Sequence, residues 1–357
     1  MLGEQNVSHE ERLRENSDSI DPRPDRPGST GEHVLQEKLG TVGRAEGFYD
    51  SAMQHSLTDR MASFLTDRRL GFVSRLDADR PVTELCLGDD GFVRVLDEDH
   101  IAWPTVTTVD ENPSLVAPGA EEFLSLVTID WWEPTVGLHV NGVGTHQQST
   151  PAGVDYDGPA TDWYVLEIEE AYIHCAKHIP ELTLEADSGE AEREALDRTT
   201  DDHLVPAVER FIASQTMAFL GTADHGGETD ISPRIGPAGF VQTLDERTVA
   251  WPEYRGNGVH ASLGNIAERQ MASLLFVDWW NTEAMVHVTG RATLHDDIEG
   301  ATDRTDVDRT KQWVRLDVES VTLTKNPPLP SLSVAEFDPP WGTDDDGIKK
   351  SGFFTDG

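Results

Sequence analysis

The residues with chemistry to offer are concentrated in one stretch. Ser232-Pro233-Arg234-Ile235-Gly236-Pro237 is followed by Trp251-Pro252-Glu253-Tyr254-Arg255-Gly256-Asn257-Gly258 and then by Ser262-Leu263-Gly264-Asn265. A Gly-Asn-Gly turn lets backbone N–H groups converge, and a helix expected to begin near Val259 points its positive end at the same place. Arg234 and Arg255 add planar donor forks suited to phosphate oxygens. Together these groups outline a site for a dianion. The competing reading is that both arginines pair with the chain's many carboxylates. The turn is not a dinucleotide fingerprint, since Ala261 stands where a third glycine would be needed.

A second group ends an earlier strand as Tyr172-Ile173-His174-Cys175-Ala176-Lys177-His178. His174, Cys175 and His178 are borderline metal ligands. On a strand, however, His174 and His178 stand about 13 Å apart, and no fourth ligand is evident. A strand-end or cofactor-facing role fits better, and no metal is expected. His139 and His287 read as satisfied strand residues. No catalytic acid or base stands out.

Charge sets the background. The chain has 357 residues, 66 Asp plus Glu against 28 Lys plus Arg, and a net charge of −38. Nucleic acids and anionic membranes are held by clustered cations. Here six of the 28 cations are Lys and no Lys/Arg run reaches four, so neither partner is expected. The carboxylate excess suits solubility in concentrated salt, where screening lengths fall to about 3 Å, and points to a salt-loving host rather than a ligand. No apolar run approaches the roughly 20 residues of a spanning helix. The start, Met1-Leu2-Gly3-Glu4-Gln5-Asn6, lacks the apolar core of a signal peptide, and Cys86 and Cys175 offer no disulfide framework. The expected compartment is the cytoplasm. Nine Trp and twelve Phe suffice for packed cores, and the length suggests two domains.

Those domains are copies of one another. Gly91-Phe92-Val93, Leu96-Asp97-Glu98 and Ala102-Trp103-Pro104 recur 148 residues later as Gly239-Phe240-Val241, Leu244-Asp245-Glu246 and Ala250-Trp251-Pro252. Asp130-Trp131-Trp132 and His139-Val140 recur at the same offset as Asp278-Trp279-Trp280 and His287-Val288. The period is far above that of solenoids, so whole domains are repeated in tandem. Each copy reads as about six or seven short strands, a small antiparallel barrel. In the first these are Leu70–Leu76, Phe92–Leu96, Ile101–Val106, Glu122–Trp132, Thr135–Val143 and Trp163–His174. A 3.6-residue period at Met53, Leu57, Met61 and Phe64 predicts a helix before the first barrel, and Val208, Phe211 and Ile212 predict one before the second. One Trp of each Trp-Trp pair should face a core, and both pairs fit an interface between the copies.

The anion site is not repeated. Cys86 stands where Arg234 stands, Glu84 replaces Ser232, and Thr107-Thr108-Val109-Asp110 replaces Arg255-Gly256-Asn257-Gly258. Glu84 should repel an anion there.

These motifs, with Glu170-Ala171-Tyr172-Ile173-His174-Cys175-Ala176-Lys177-His178-Ile179-Pro180, resemble the pyridoxamine 5′-phosphate oxidase-like family of FMN-binding split barrels, from about Gly31 to Leu323. The resemblance implies six-stranded split barrels that work as dimers, with FMN at the interface. It implies that Arg234, Arg255, Asn257 and Ser262 hold the FMN phosphate, with Ser232, Gly256 and Gly258 beside them, and that Trp251, Tyr254 and Asn265 line ribityl or ring. Two fused copies can form that dimer within one chain. The second copy keeps the cradle and the first keeps the His174–Lys177 segment, so one FMN per chain is expected, with His174, Cys175 or Lys177 near the ring edge. The family's Arg-x-His segment near the C-terminus is missing, which argues against oxidation of pyridoxamine phosphate itself.

The expected fold is mainly β: two tandem antiparallel split β-barrels forming an intrachain pseudo-dimer with a few short helices. The expected boundaries are a flexible polar segment over 1–45, barrels over 46–180 and 206–330, an acidic linker over 181–205 and an acidic tail over 331–357. The expected function is a flavin oxidoreductase acting on a small-molecule substrate, with further homodimerisation left open. The alternative is a non-catalytic protein that binds or stores FMN, haem or a deazaflavin.

Overall fold

Short runs rich in β-branched and aromatic residues, cut by acidic and glycine turns, pair with their neighbours as antiparallel strands. The computed structural model describes residues 27–88, 91–105, 118–131, 136–158, 162–175, 182–184, 197–254, 256–279, 284–303, 310–327, 329 and 332–334, without the side chains of 174–175, 182–184 and 332–334. Three helices come first: α1 (Thr30–Lys38), α2 (Val42–Ser51) and α3 (Asp59–Thr66). The first half follows as β1 (Leu70–Asp77), β2 (Arg80–Leu87), β3 (Arg94–Val95), β4 (His100–Pro104), β5 (Glu121–Ile129), β6 (Val136–Gln147) and β7 (Trp163–Cys175). Two short strands, β8 (Leu182–Leu184) and β9 (Asp197–Asp201), then lead to α4 (Pro206–Ser214). The second half comprises β10 (Met217–Ala223), β11 (Thr229–Ile235), β12 (Gln242–Asp245), β13 (Thr248–Glu253), α5 (Ala261–Arg269), β14 (Met271–Asp278), β15 (Ala284–His295) and β16 (Gln312–Lys325), and β17 (Leu332–Val334) comes last.

The two large sheets have one topology. Their strand orders are β2-β1-β5-β6-β7-β4-β3 and β11-β10-β14-β15-β16-β13-β12, so each strand of the first half has its counterpart in the second. Even the irregularities match. The β6–β7 ladder slips between Asn141 and Gly142, and the β15–β16 ladder slips between Thr289 and Gly290. The fold is mainly β, with two split-barrel-like halves.

Each sheet wraps its own apolar cluster, and equivalent positions fill both. Phe92, Trp103, Leu126 and Val140 pack in the first half where Phe240, Trp251, Leu274 and Val288 pack in the second. A third cluster lies between the halves. Phe72 stacks on Phe219 with ring centroids 3.4 Å apart, and Trp131 meets Trp279 at 6.1 Å. Val127 and Ile129 join Leu275 and Val277 in that same cluster. Residues touching their own counterparts define a self-complementary face, as in a two-fold dimer. Full burial of each such side chain contributes about 1.5–3 kcal/mol, enough to hold the halves together. Trp131 and Trp279 thus face the interface as expected, whereas Trp132 and Trp280 lie outside the described residues.

Several elements depart from the sequence expectation. β2 and β11 were not foreseen, because Pro81 and Pro233 interrupt them. Both strands end their sheet paths, where a missing backbone N–H is tolerated. Met53 and Leu57 precede α3 instead of lying in it, although both are buried. α1 and the start of α2 fall within the segment 1–45 that was expected to be flexible. Ser29 and Glu32 close a reciprocal capping box on α1, which docks on α5 of the second half, while Arg44 of α2 reaches the Gly256 carbonyl. Within the expected linker, β9 pairs with β16, and β8 pairs with β17 from the expected tail.

Candidate functional site

β11 and β13 deliver the first part of the site. Arg234 Nε donates to Glu253 Oε1 at 2.5 Å, and the fully buried Trp251 donates Nε1 to the same oxygen at 2.9 Å. Arg234 therefore does pair with a carboxylate. Its guanidinium carries five donors, and Glu253 takes one of them.

The turn after β13 supplies the second part. Asn257 Oδ1 accepts from Val259 N at 3.1 Å, a local turn that fixes the chain before the helix. Gly258 sits at φ +90 and His260 at φ +67, so α5 begins at Ala261, two residues later than expected. His260 Nε2 lies 3.1 Å from Thr41 Oγ1. Burial lowers the His260 pKa; the charge of Glu253 opposes this, while those of Arg234 and Arg44 push the same way. Arg44, on α2, reaches the turn with Nη1 3.4 Å from the Gly256 carbonyl. Arg44 and His260 thus flank this turn, and Arg234 and Glu253 act on His260 electrostatically. Arg255 lies outside the described residues.

Other expected site residues are hydrogen-bonded within the protein. Ser262 donates Oγ to Asp230 Oδ2 at 2.6 Å. Asn265 donates to Thr222 Oγ1 at 3.2 Å in the buried interior. Tyr254 Oη is 3.4 Å from Asp303 Oδ1, and burial followed by the Asp303 charge raises its pKa. Ser232 is half-buried on β11 and bonds Asp230. His174 is placed by its backbone opposite Gly137 on β6, while its side chain, that of Cys175 and all of Lys177 lie outside the described residues.

Beside the first turn of α5 sits a group of acids that sequence reasoning missed. Asp230 is buried, and that burial raises its pKa against the hydrogen bond from Ser262. Tyr172 Oη lies 3.5 Å from Asp230 Oδ1. Glu32 on α1 accepts from Tyr49 Oη at 2.7 Å, and burial pushes its pKa up to about 8. Glu170 accepts from Asn141 Nδ2 at 3.2 Å and is also shifted up by burial. Asn141 and Glu170, with Glu169, Glu228, Phe123 and His55, line a cavity of about 560 Å³ between the halves. The acidic composition hid this cluster, because no local pattern marks these carboxylates among 66.

The equivalent corner of the first half is built differently. Glu84, at the position of Ser232, is bound by Arg75 through Nε at 3.3 Å and Nη2 at 3.1 Å. Both are buried, and Cys86, at the position of Arg234, is buried too. The repulsion expected from Glu84 is therefore corrected: its charge is neutralised by Arg75 across the β1–β2 pair. Among the described residues no group of three or more His, Cys, Asp or Glu could hold a metal ion, and no helix is long and apolar enough to cross a membrane.

Residues 204–342 match the family model described as pyridoxamine 5′-phosphate oxidase. No curated protein matches the chain. Solved structures with partial likeness include HupZ of Group A Streptococcus, at 17% identity and TM-score 0.28, covering 33% of this chain and 92% of that one. An FMN-binding protein from Syntrophomonas wolfei follows at 13% and 0.23, covering 33% and 88%. The FAD binding protein from Mycobacterium smegmatis stands at 12% and 0.24, covering 34% and 98%. The second half of this chain, with the turn and both strands of the site, is thus similar to the pyridoxamine 5′-phosphate oxidase family.

Proposed function

We propose that the chain binds one FMN by its phosphate at the Arg234 and Gly256–Gly258 corner of the second half, and uses it in oxidoreduction of a small organic substrate. The observation that carries this reading is the glycine-flanked turn before α5, with His260 within it and the Arg234 guanidinium of β11 close enough to act on that histidine electrostatically, in a chain of net charge −38. A dianion in such a protein needs local cations, and this corner supplies them. The donor set fits a phosphate. Beyond the bonds to Glu253 and to the Pro233 carbonyl, three of the five Arg234 donors remain, and the turn offers backbone N–H groups at a helix start. The match over 204–342 spans these residues.

When bound, the flavin supplies hydride and electron transfer. The chain's part is to hold and orient it. Trp251 fixes Glu253, Glu253 sets the Arg234 fork, and the apolar face between the halves excludes water. Asp230 keeps the Ser262 hydroxyl in place at the head of α5.

The test is an Arg234→Ala, Asn257→Ala double variant titrated with FMN by quenching of flavin fluorescence. Affinity should fall about 100-fold, as loss of a charged phosphate ligand and its supporting turn requires. Undiminished binding would refute the site. Bleaching of the bound flavin by NADH or NADPH, with reoxidation in air, supports the oxidoreductase; a bound flavin inert to both assigns the chain to storage or sensing.

A further inference from the structure

We propose that the N-terminal arm, residues 27–54, is a third part of this flavin phosphate site and that Arg44 is one of its phosphate ligands. The inference rests on the flavin reading above. It adds a residue from outside the repeated halves and outside the matched stretch 204–342.

The arm is seated on the cradle by specific contacts. Gly31 N donates to Glu268 Oε1 at 2.5 Å, and α1 lies so close to α5 that a Cβ on Gly31 would stand 2.3 Å from the Gly264 carbonyl oxygen. Gln36 Nε2 donates to the Val259 carbonyl at 2.8 Å, and Thr41 Oγ1 donates to the Gly258 carbonyl at 2.9 Å. The arm then crosses to the first half. Phe48 sets its edge on Tyr172 at 5.4 Å, and Gln54 bridges Ala171 of β7. One continuous segment therefore ties the turn to the strand that faces it.

Arg44 is the charged residue this arrangement brings to the turn. Its stem lies across Gly258, where a Cβ would stand 2.8 Å from Arg44 Cδ, so the absence of a side chain at that position is what lets it approach. Among the described residues its one hydrogen bond in the cradle, to the Gly256 carbonyl, is long at 3.4 Å. Arg44 is exposed, its stem lies against Gly258, and the single long bond leaves most of its five donors for a ligand. Placing it within electrostatic reach of the same histidine as Arg234 sets like charges near one another, and Glu253 offsets part of that. A dianion bound between the two forks offsets the rest. A chain with 28 cations against 66 acids has few arginines to gather in this way without a ligand.

The experiment compares FMN with riboflavin, which lacks the phosphate, as ligands of the full chain at fixed KCl. The proteins are wild type, Arg44→Ala, Arg44→Gln and Arg234→Ala. Arg44→Gln keeps the stem over Gly258 and so guards against a folding defect, checked by thermal melting. Both Arg44 variants should bind FMN about 10- to 50-fold more weakly, the worth of one charged hydrogen-bonding partner, with riboflavin affinity unchanged and a shallower dependence of FMN affinity on salt. FMN affinity within twofold of wild type in both Arg44 variants, with Arg234→Ala still weakened, overturns the proposal and leaves the flavin site standing. Equal loss of FMN and riboflavin would also overturn it, since Arg44 would then act on the fold. A wild-type chain that binds no FMN overturns both readings.

Discussion

The two halves use one frame to build opposite corners. At paired positions on β2 and β11, the first half carries Val82, Glu84 and Cys86 where the second carries Asp230, Ser232 and Arg234. One strand over, the first half has Arg75 where the second has Thr222. In the first half the cation is turned inward and consumed by Glu84, both side chains being buried. In the second the cation stands on β11, 15% exposed and paired with Glu253, with Arg44 arriving from the arm at the nearby turn. Moving one arginine from β1 to β11 converts a structural ion pair into a group that can meet a ligand. In the proposed reading the shared backbone does not by itself make a ligand site; the register position of the cation does.

The largest expected effect tests the closed corner. Arg75→Ala leaves Glu84 buried without its partner and should cost about 3–5 kcal/mol of stability, read from chemical denaturation. Arg75→Met with Glu84→Leu should recover most of that loss, because two apolar side chains replace a desolvated pair. A loss below 1 kcal/mol in the single variant would mean the pair is not the closure described here. Neither change should reduce FMN affinity more than twofold, in contrast to the 100-fold loss expected from Arg234→Ala with Asn257→Ala.

A smaller effect separates the halves by pH. Glu32 faces Tyr49, Glu170 and Asp230, and its folded pKa of about 8 lies above the ordinary carboxylate value of 4.5. The unfolded chain therefore ionises first. Stability should fall steadily as pH rises from about 4.5 to about 8 and level off above, and burial of Asp230 and Glu170 adds in the same direction. The first half has Val82 and the second half Ser320 at the positions of Asp230 and Glu170, so the effect belongs to this one corner. Glu32→Gln should flatten the dependence of melting temperature on pH between 5 and 9 by a few degrees. An unchanged slope would show that the arm docks without a protonated Glu32.

Much of this was legible in the sequence, for identifiable reasons. The 148-residue repeat exposed the two β halves, because Trp103/Trp251 and Phe92/Phe240 fill equivalent core positions and cores constrain residue type tightly. The Gly256–Gly258 turn was visible because the left-handed backbone at Gly258 calls for glycine. β11 was hidden by Pro233, which reads as a turn but is tolerated on an edge strand. Arg44 was hidden for another reason. It lies 212 residues from Gly256, on an arm whose polar composition reads as mobile until Ser29 and Glu32 cap α1. Contacts of that sequence separation leave no periodic trace. The Asp230–Ser262 bond, 32 residues apart, was missed likewise.

The measurement that tests the central claim most directly is the flavin-to-chain ratio of the full chain saturated with FMN and freed of excess. The asymmetry between the corners predicts one FMN per chain, released when Arg234 and Asn257 are both replaced by Ala and retained when Cys86 is replaced by Ala. Two FMN per chain would show that the first half keeps a working cradle, and no uptake of FMN would show that the second half does not have one.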